Sequence, residues 1–222
     1  MDLPFTLPNW WRKEQEGQVT VLLAMADPVA RRTVRQSIGR ALSANIIEVD
    51  GKANMHHAVT FQEFDLIVAD ADLNGCQSFD IIELIRYGRL HCHAFPIVIM
   101  LCPPGREDCA LQVSECGADL VLNADSAARV MPEHLTRLIS DRRPFVVAPH
   151  YIGPERRAAE RIGQASHLTV PNPLSARLSG LPEQDYRRQI SMASHSVSLM
   201  RRGLYLVRMH KTPQLVSSNS SI

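Results

Sequence analysis

The chain has 222 residues, 45% hydrophobic and 21% charged, with a formal net charge of +1; this suffices for one ordinary core plus an appendage and excludes wholesale disorder. No apolar run approaches the roughly 20 residues of a membrane helix, and the opening MDLPFTLPNWWRKEQEG lacks the basic-then-apolar order of a signal peptide, so a cytoplasmic protein without a membrane partner is expected. The small total charge hides two unlike halves: residues 1–142 hold 13 Lys and Arg against 19 Asp and Glu, net −6, and the remaining 80 carry 11 against 4, net +7.

Residues 1–17 read as an N-terminal tail, with Pro4, Pro8 and the pair Trp10-Trp11 before a charged run. Val19 to Ala24 is a short, continuously apolar run, the pattern of a strand buried on both faces. Asp27 followed by Pro28 predicts a capped helix start, with Val29, Val34, Ile38 and Leu42 on one face. A second strand over Asn45 to Val49, a short helix, and a third strand over Leu66 to Ala69 ending at Asp70 follow. The same beat predicts a helix over Ser78 to Tyr87, a strand over Pro96 to Leu101, a helix over Arg106 to Cys116, a strand over Leu120 to Leu122 and a helix over Pro132 to Ser140. Five alternating units over residues 18–142 are the signature of a doubly wound, parallel α/β sheet.

The five cysteines (Cys76, Cys92, Cys102, Cys109, Cys116) avoid CxxC spacing and read as reduced thiols. His91, Cys92 and His93 are too close in sequence to converge on one ion, so no metal site is expected there.

Four stretches, VLLAMADPVARR, FDLIVADADLNG, FPIVIM and ECGADLVL, resemble the response-regulator receiver domain. The resemblance spans about Gln18 to Arg142 and implies a signalling role in a bacterial two-component phosphorelay, with a histidine kinase or another regulator as partner. It implies an aspartate acceptor at Asp70, an acidic Mg²⁺-binding pair at Met25 and Ala26, a hydroxyl at Leu101 or Cys102, an aromatic switch residue at Val121 and a lysine at Ala124. Only Asp70 keeps the expected chemistry. Thioether and methyl groups do not ligate a hard cation, and a phosphoaspartate would bring about −1.5 to −2 charge beside Asp27 and Asp72 with little compensation. Phosphorylation is therefore expected to be slow or absent, with no Mg²⁺ cofactor; Asp70 stands either as a vestigial strand-end carboxylate or as an acceptor. Asp27 suits a helix cap.

Residues 143–182 read as a basic, extended segment. FVVAPHYIGPERR and LTVPNPLSARLSG are similar to a tail found behind receivers in some, mainly alphaproteobacterial, regulators. Tyr151, Arg156 and Arg157 belong to this motif, and the two guanidinium forks suit carboxylates, either on the acidic half of the chain or on an external partner. Residues 183–210 read as an amphipathic helix: Tyr186, Ile190, Ala193, Val197, Met200, Leu204 and Val207 follow heptad spacing, beside a second apolar row at Met192, Leu199 and Leu206. That seam serves either docking within the chain or a homodimer. Residues 211–222 are Ser-rich, and a disordered tail is expected.

These features favour a protein-interaction module in two-component signalling. A nucleic-acid binder using the +7 half is the alternative, disfavoured because no helix-turn-helix, finger spacing or stacking motif accompanies the charge. No GxSxG, P-loop, HExxH or dinucleotide turn is present, so no catalysis is assigned.

Overall fold

The computed structural model describes residues 18–90, 92–156 and 165–211, with residues 107, 108, 114 and 205–211 defined by their backbone alone. In chain order the elements are β1 (Val19–Ala24), α1 (Pro28–Ala41), β2 (Ala44–Val49), α2 (Lys52–Phe61), β3 (Leu66–Asp70), β4 (Asp72–Leu73), β5 (Cys76–Gln77), α3 (Phe79–Arg86), β6 (Ile97–Cys102), α4 (Glu107–Glu115), β7 (Leu120–Asn123), α5 (Ala124–Ser140), β8 (Phe145–Ala148), β9 (Tyr151–Pro154), β10 (Ser166–Leu168), α6 (Pro173–Leu178) and α7 (Glu183–Lys211). The expected N-terminal tail over residues 1–17 and all but the first residue of the expected tail over 211–222 lie outside the described residues.

Five parallel strands in the order β2-β1-β3-β6-β7 form the main sheet, which is the flavodoxin-like doubly wound topology. Alternation along each strand divides the core. Val21 and Leu23, Leu66 and Val68, and Ile97, Ile99 and Leu101 face α1 and α5. Leu22 and Ala24, Ile67 and Ala69, and Val98, Met100 and Cys102 face α2, α3 and α4. Because both faces are covered, the inner strands β1, β3 and β6 carry continuous apolar runs, and this is why they were readable from sequence.

Asp27 caps α1 as expected, its Oδ1 accepting from Val29 N at 2.7 Å and Ala30 N at 3.1 Å. Val34, Ile38 and Leu42 are buried, but Val29 is 74% exposed. Val29 sits in the first turn, rotated off the face that the later residues share.

The helix expected from Pro132 begins instead at Ala124, where Asn123 Oδ1 accepts from Asp125 N at 2.9 Å. Pro132 lies inside it and lacks the N–H that would bond the Ala128 carbonyl. The buried Ser37 hydroxyl of α1 donates to that carbonyl instead, at 2.5 Å.

The segment 143–182 holds more regular structure than its composition suggests. β8, β9 and β10 form an antiparallel sheet ordered β10-β8-β9. α7 lays its heptad seam on that sheet: Tyr186, Ala193 and Val197 are buried, and Ala193, Val197, Ile190, Met200 and Leu204 pack with Phe95, Phe145, Val147, Ile152 and Val170. The seam is thus used within the chain, while Met192 and Leu199 remain exposed. The side chain of Val207 lies outside the described residues. No helix among the described residues is long and apolar enough to cross a membrane.

Candidate functional site

The parallel sheet has two chemically different ends. At the carboxyl end, where ligands bind in folds of this topology, stands Asp70, the last residue of the central strand β3. Its Oδ2 accepts from Ala26 N at 3.0 Å, and its main-chain carbonyl accepts from the Ser78 hydroxyl at 2.7 Å. Burial pushes the Asp70 carboxyl up to about 6; Asp27 and Asp72 push the same way, and the Ala26 N–H and Arg31 oppose them. Asp70 is therefore a carboxylate short of positive partners.

The neighbours explain the shortage. Met25 is buried in the core with Leu101, on the α1 and α5 side of the sheet. Ala124 packs against that same cluster, and Val121 against the opposite one. Asp27 has committed an oxygen to its helix cap. Asp72 Oδ1 accepts from Gly75 N at 2.6 Å, closing the Asn74-Gly75 turn between β4 and β5, where both turn residues have positive φ.

Arg31 is drawn aside, donating to the Met25 carbonyl at 2.6 Å and pairing with Glu48 at 3.2 Å. Lys52 pairs with Asp80 at 2.9 Å. A hard divalent cation needs several oxygen ligands; one half-buried carboxylate, a capping carboxylate, a thioether and a methyl group do not fit it. Among the described residues no three His, Cys, Asp or Glu side chains converge as a metal site.

At the amino end of the strands the C-terminal segment is clamped on by buried charge that the sequence reading missed. Arg86, from α3, donates to the carbonyls of Gly117, Ala94 and Pro96, each at 2.9 Å, and meets Asp119 Oδ2 at 2.8 Å. Arg142 reaches Asp119 Oδ1 at 3.0 Å and the carbonyls of Phe95, Pro96 and Pro171 at 2.8, 3.0 and 2.6 Å. Both guanidinium groups lie over the Phe145 ring, at 4.9 and 5.0 Å from its centroid.

Burial alone would raise the Asp119 carboxyl, but Arg142, Arg86 and the Val98 N–H outweigh it and hold the group below the usual carboxylate range. Burial draws Arg86 down from its ordinary value, yet a guanidinium stays charged in proteins. A second clamp joins α6 to the start of β3: Arg177 pairs with Asp65 at 3.1 Å and with Glu183, and Arg187 meets Glu183 at 2.7 Å. The signal for the first clamp was present in the sequence, since Arg86 follows Ile82 by four residues on the core face of α3.

The motif residues belong to this dock. Tyr151 donates to the Pro154 carbonyl at 2.7 Å, and Arg156 donates to the Ala118 carbonyl. Gly153 is pressed against Gly117: a Cβ on Gly153 would meet Gly117 Cα at 2.7 Å, and one on Gly117, whose φ is 92°, would meet the Ile152 carbonyl oxygen at 2.6 Å. Arg157 lies outside the described residues. Ile190, Val197, Met200 and Leu204 serve the internal seam. With Arg156, Arg177 and Arg187 engaged inside the chain, the basic half presents less free charge than its composition implies.

The strand order defines a doubly wound, flavodoxin-like α/β fold with Asp70 at the carboxyl end of its central strand. No protein-family model matches the chain, and no curated protein matches it. Among solved structures it is similar to the signal receiver domain of the response regulator NarL from Mycobacterium tuberculosis, at 18% identity and a TM-score of 0.48 over 56% of this chain and 98% of that one. It is likewise similar to a LuxR-family two-component response regulator from an Aurantimonas species, at 18% identity and 0.48 over 57% and 88%. A CheY-like receiver domain from Methylobacillus flagellatus matches at 13% identity and 0.46 over 54% and 97%. At these identities the likeness concerns the fold, which the sheet order establishes independently.

Proposed function

We propose that the chain is a receiver-like signalling protein of a two-component system that acts by protein contact, without a Mg²⁺-dependent aspartyl-phosphate switch. The observation that supports this reading is the chemistry around Asp70: the nearby acids are tied to a cap and a turn, Arg31 is held by Glu48 and the Met25 carbonyl, and an alanine occupies the position where the receiver resemblance calls for a lysine. A phosphoryl group there would add about −1.5 to −2 charge with no dedicated cation to meet it. A histidine kinase or another regulator is the proposed class of partner. The described C-terminal elements dock at the opposite end of the sheet and support a role for the Asp70 end in such contact.

The test is a titration of the full chain with beryllofluoride and Mg²⁺, following backbone amide resonances around Asp70. No saturable change is expected; a saturable one overturns the proposal and makes Asp70 a working acceptor, the reading favoured by its place at the end of β3. Partner capture with the intact chain and with Asp70→Ala is expected to recover the same proteins.

A further inference from the structure

Two cysteines meet at the same end of the sheet. Cys102 is the last residue of β6 and Cys109 lies in the first turn of α4. Their sulfurs are 2.8 Å apart, and neither is in a disulfide. A covalent S–S bond is about 2.05 Å long, so joining them requires closure by less than an ångström. Both residues are nearly buried, but the stretch that follows Cys102, Pro103-Pro104-Gly105-Arg106, is exposed.

Burial pushes the Cys92 and Cys116 thiols up to about 12, where almost no thiolate exists to react. Cys76 is exposed on β5.

We propose that Cys102 and Cys109 form a reversible disulfide when the protein meets a peroxide. One thiol gives up its proton, its thiolate attacks a peroxide oxygen, and the O–O bond breaks to give a sulfenic acid and a hydroxide, which takes up the released proton as water. The second sulfur then attacks the sulfenic sulfur, forming the S–S bond and expelling hydroxide, which takes up the second thiol's proton. Two thiols and one hydrogen peroxide thus become one disulfide and two waters. In a reducing compartment such a bond is transient and serves sensing, not structure.

The bond would pin the start of α4 to the end of β6. That strand is tied directly to the Asp70 segment, since Asp70 pairs in register with Leu101 and Ala71 N donates to the Leu101 carbonyl at 2.8 Å. Oxidation is therefore read out at the carboxyl end of the sheet.

The experiment uses the full chain with Cys76→Ser, which removes the exposed thiol without touching the core. The protein is treated with hydrogen peroxide, remaining thiols are alkylated, and intact mass and tryptic peptides are measured; cleavage after Arg106 separates a peptide carrying Cys92 and Cys102 from one carrying Cys109 and Cys116, and fragmentation of the linked pair locates the bond. The expected result is loss of two hydrogens per chain, a linked pair of peptides carrying Cys102 and Cys109, full reversal by dithiothreitol, and shifted amide resonances at residues 69–71. In chains confirmed folded by circular dichroism, Cys109→Ser abolishes the linkage. An unchanged thiol count, bonds between chains only, or linkage through Cys92 or Cys116 overturns the proposal.

Discussion

Asp119→Asn removes the single negative charge from a site holding two buried guanidinium groups, and its effect can be worked from the contacts. The asparagine keeps the size of the side chain and an oxygen for the Val98 N–H, which donates to Asp119 Oδ2 at 2.9 Å. It loses the charge that faces Arg86 at 2.8 Å and Arg142 at 3.0 Å. Taking one partner from a buried ion pair costs about 3–5 kcal/mol, because the remaining charge is left uncompensated. Against a whole-domain stability of about 5–15 kcal/mol this is a large fraction.

Urea unfolding measures it: with a slope of about 2–3 kcal/mol/M, the midpoint is expected to fall by about 1–2 M at unchanged slope. The effect also depends on pH. The Asp119 carboxyl is held below its ordinary range in the folded chain, so its stabilising contribution is complete above the unfolded value near ~3.9 and fades as pH drops through the lower folded value. The gap between parent and variant therefore narrows below about pH 4. A midpoint shift under about 0.3 M at pH 7 with unchanged slope would refute the view that this charge holds the C-terminal segment in place.

Three further outcomes are expected. The Asp70 side-chain carboxyl, followed by carbon-13 resonance against pH, titrates with a midpoint of about 6; because this is raised above the unfolded value, Asp70 destabilises the fold as pH climbs from about 4 to 6, and Asp70→Asn abolishes that pH-dependent loss. A midpoint near 4 contradicts the description of its surroundings. Ser37→Ala strips the Ala128 carbonyl of its donor and lowers stability by about 1–3 kcal/mol in the same urea assay; an effect below about 0.5 kcal/mol means that the carbonyl finds another donor. Gly153→Ala drives a methyl group into Gly117 and the Tyr151 hydroxyl, costing about 1–3 kcal/mol by overpacking, whereas Gly180→Ala, where φ is 68° and an added Cβ meets nothing within 4 Å, tests backbone strain alone and is expected to cost less.

The main sheet was legible because its inner strands β1, β3 and β6 are buried on both faces and so write their positions as unbroken apolar runs; β6 from Ile97 to Cys102 is the plainest case. Asp27 was legible as a cap because a cap is local, fixed by the next three residues. The start of α5 was missed because Pro132 suggests a helix beginning, and the Ala128 carbonyl that this proline leaves without its helical donor is met by Ser37, 91 residues from Ala128 in sequence.

The sequence by itself determined the alternation of strands and helices through the main sheet, the presence of a carboxylate at the end of β3 and the heptad periodicity of α7. Tertiary structure decided what those features face. It spent the α7 seam on β8 and β10, set Arg86 and Arg142 around Asp119, and placed Cys102 against Cys109. The reason is physical: backbone periodicity and caps depend on neighbours a few residues away, but the partner of a buried charge or thiol is set by chain segments that only the closed fold brings together.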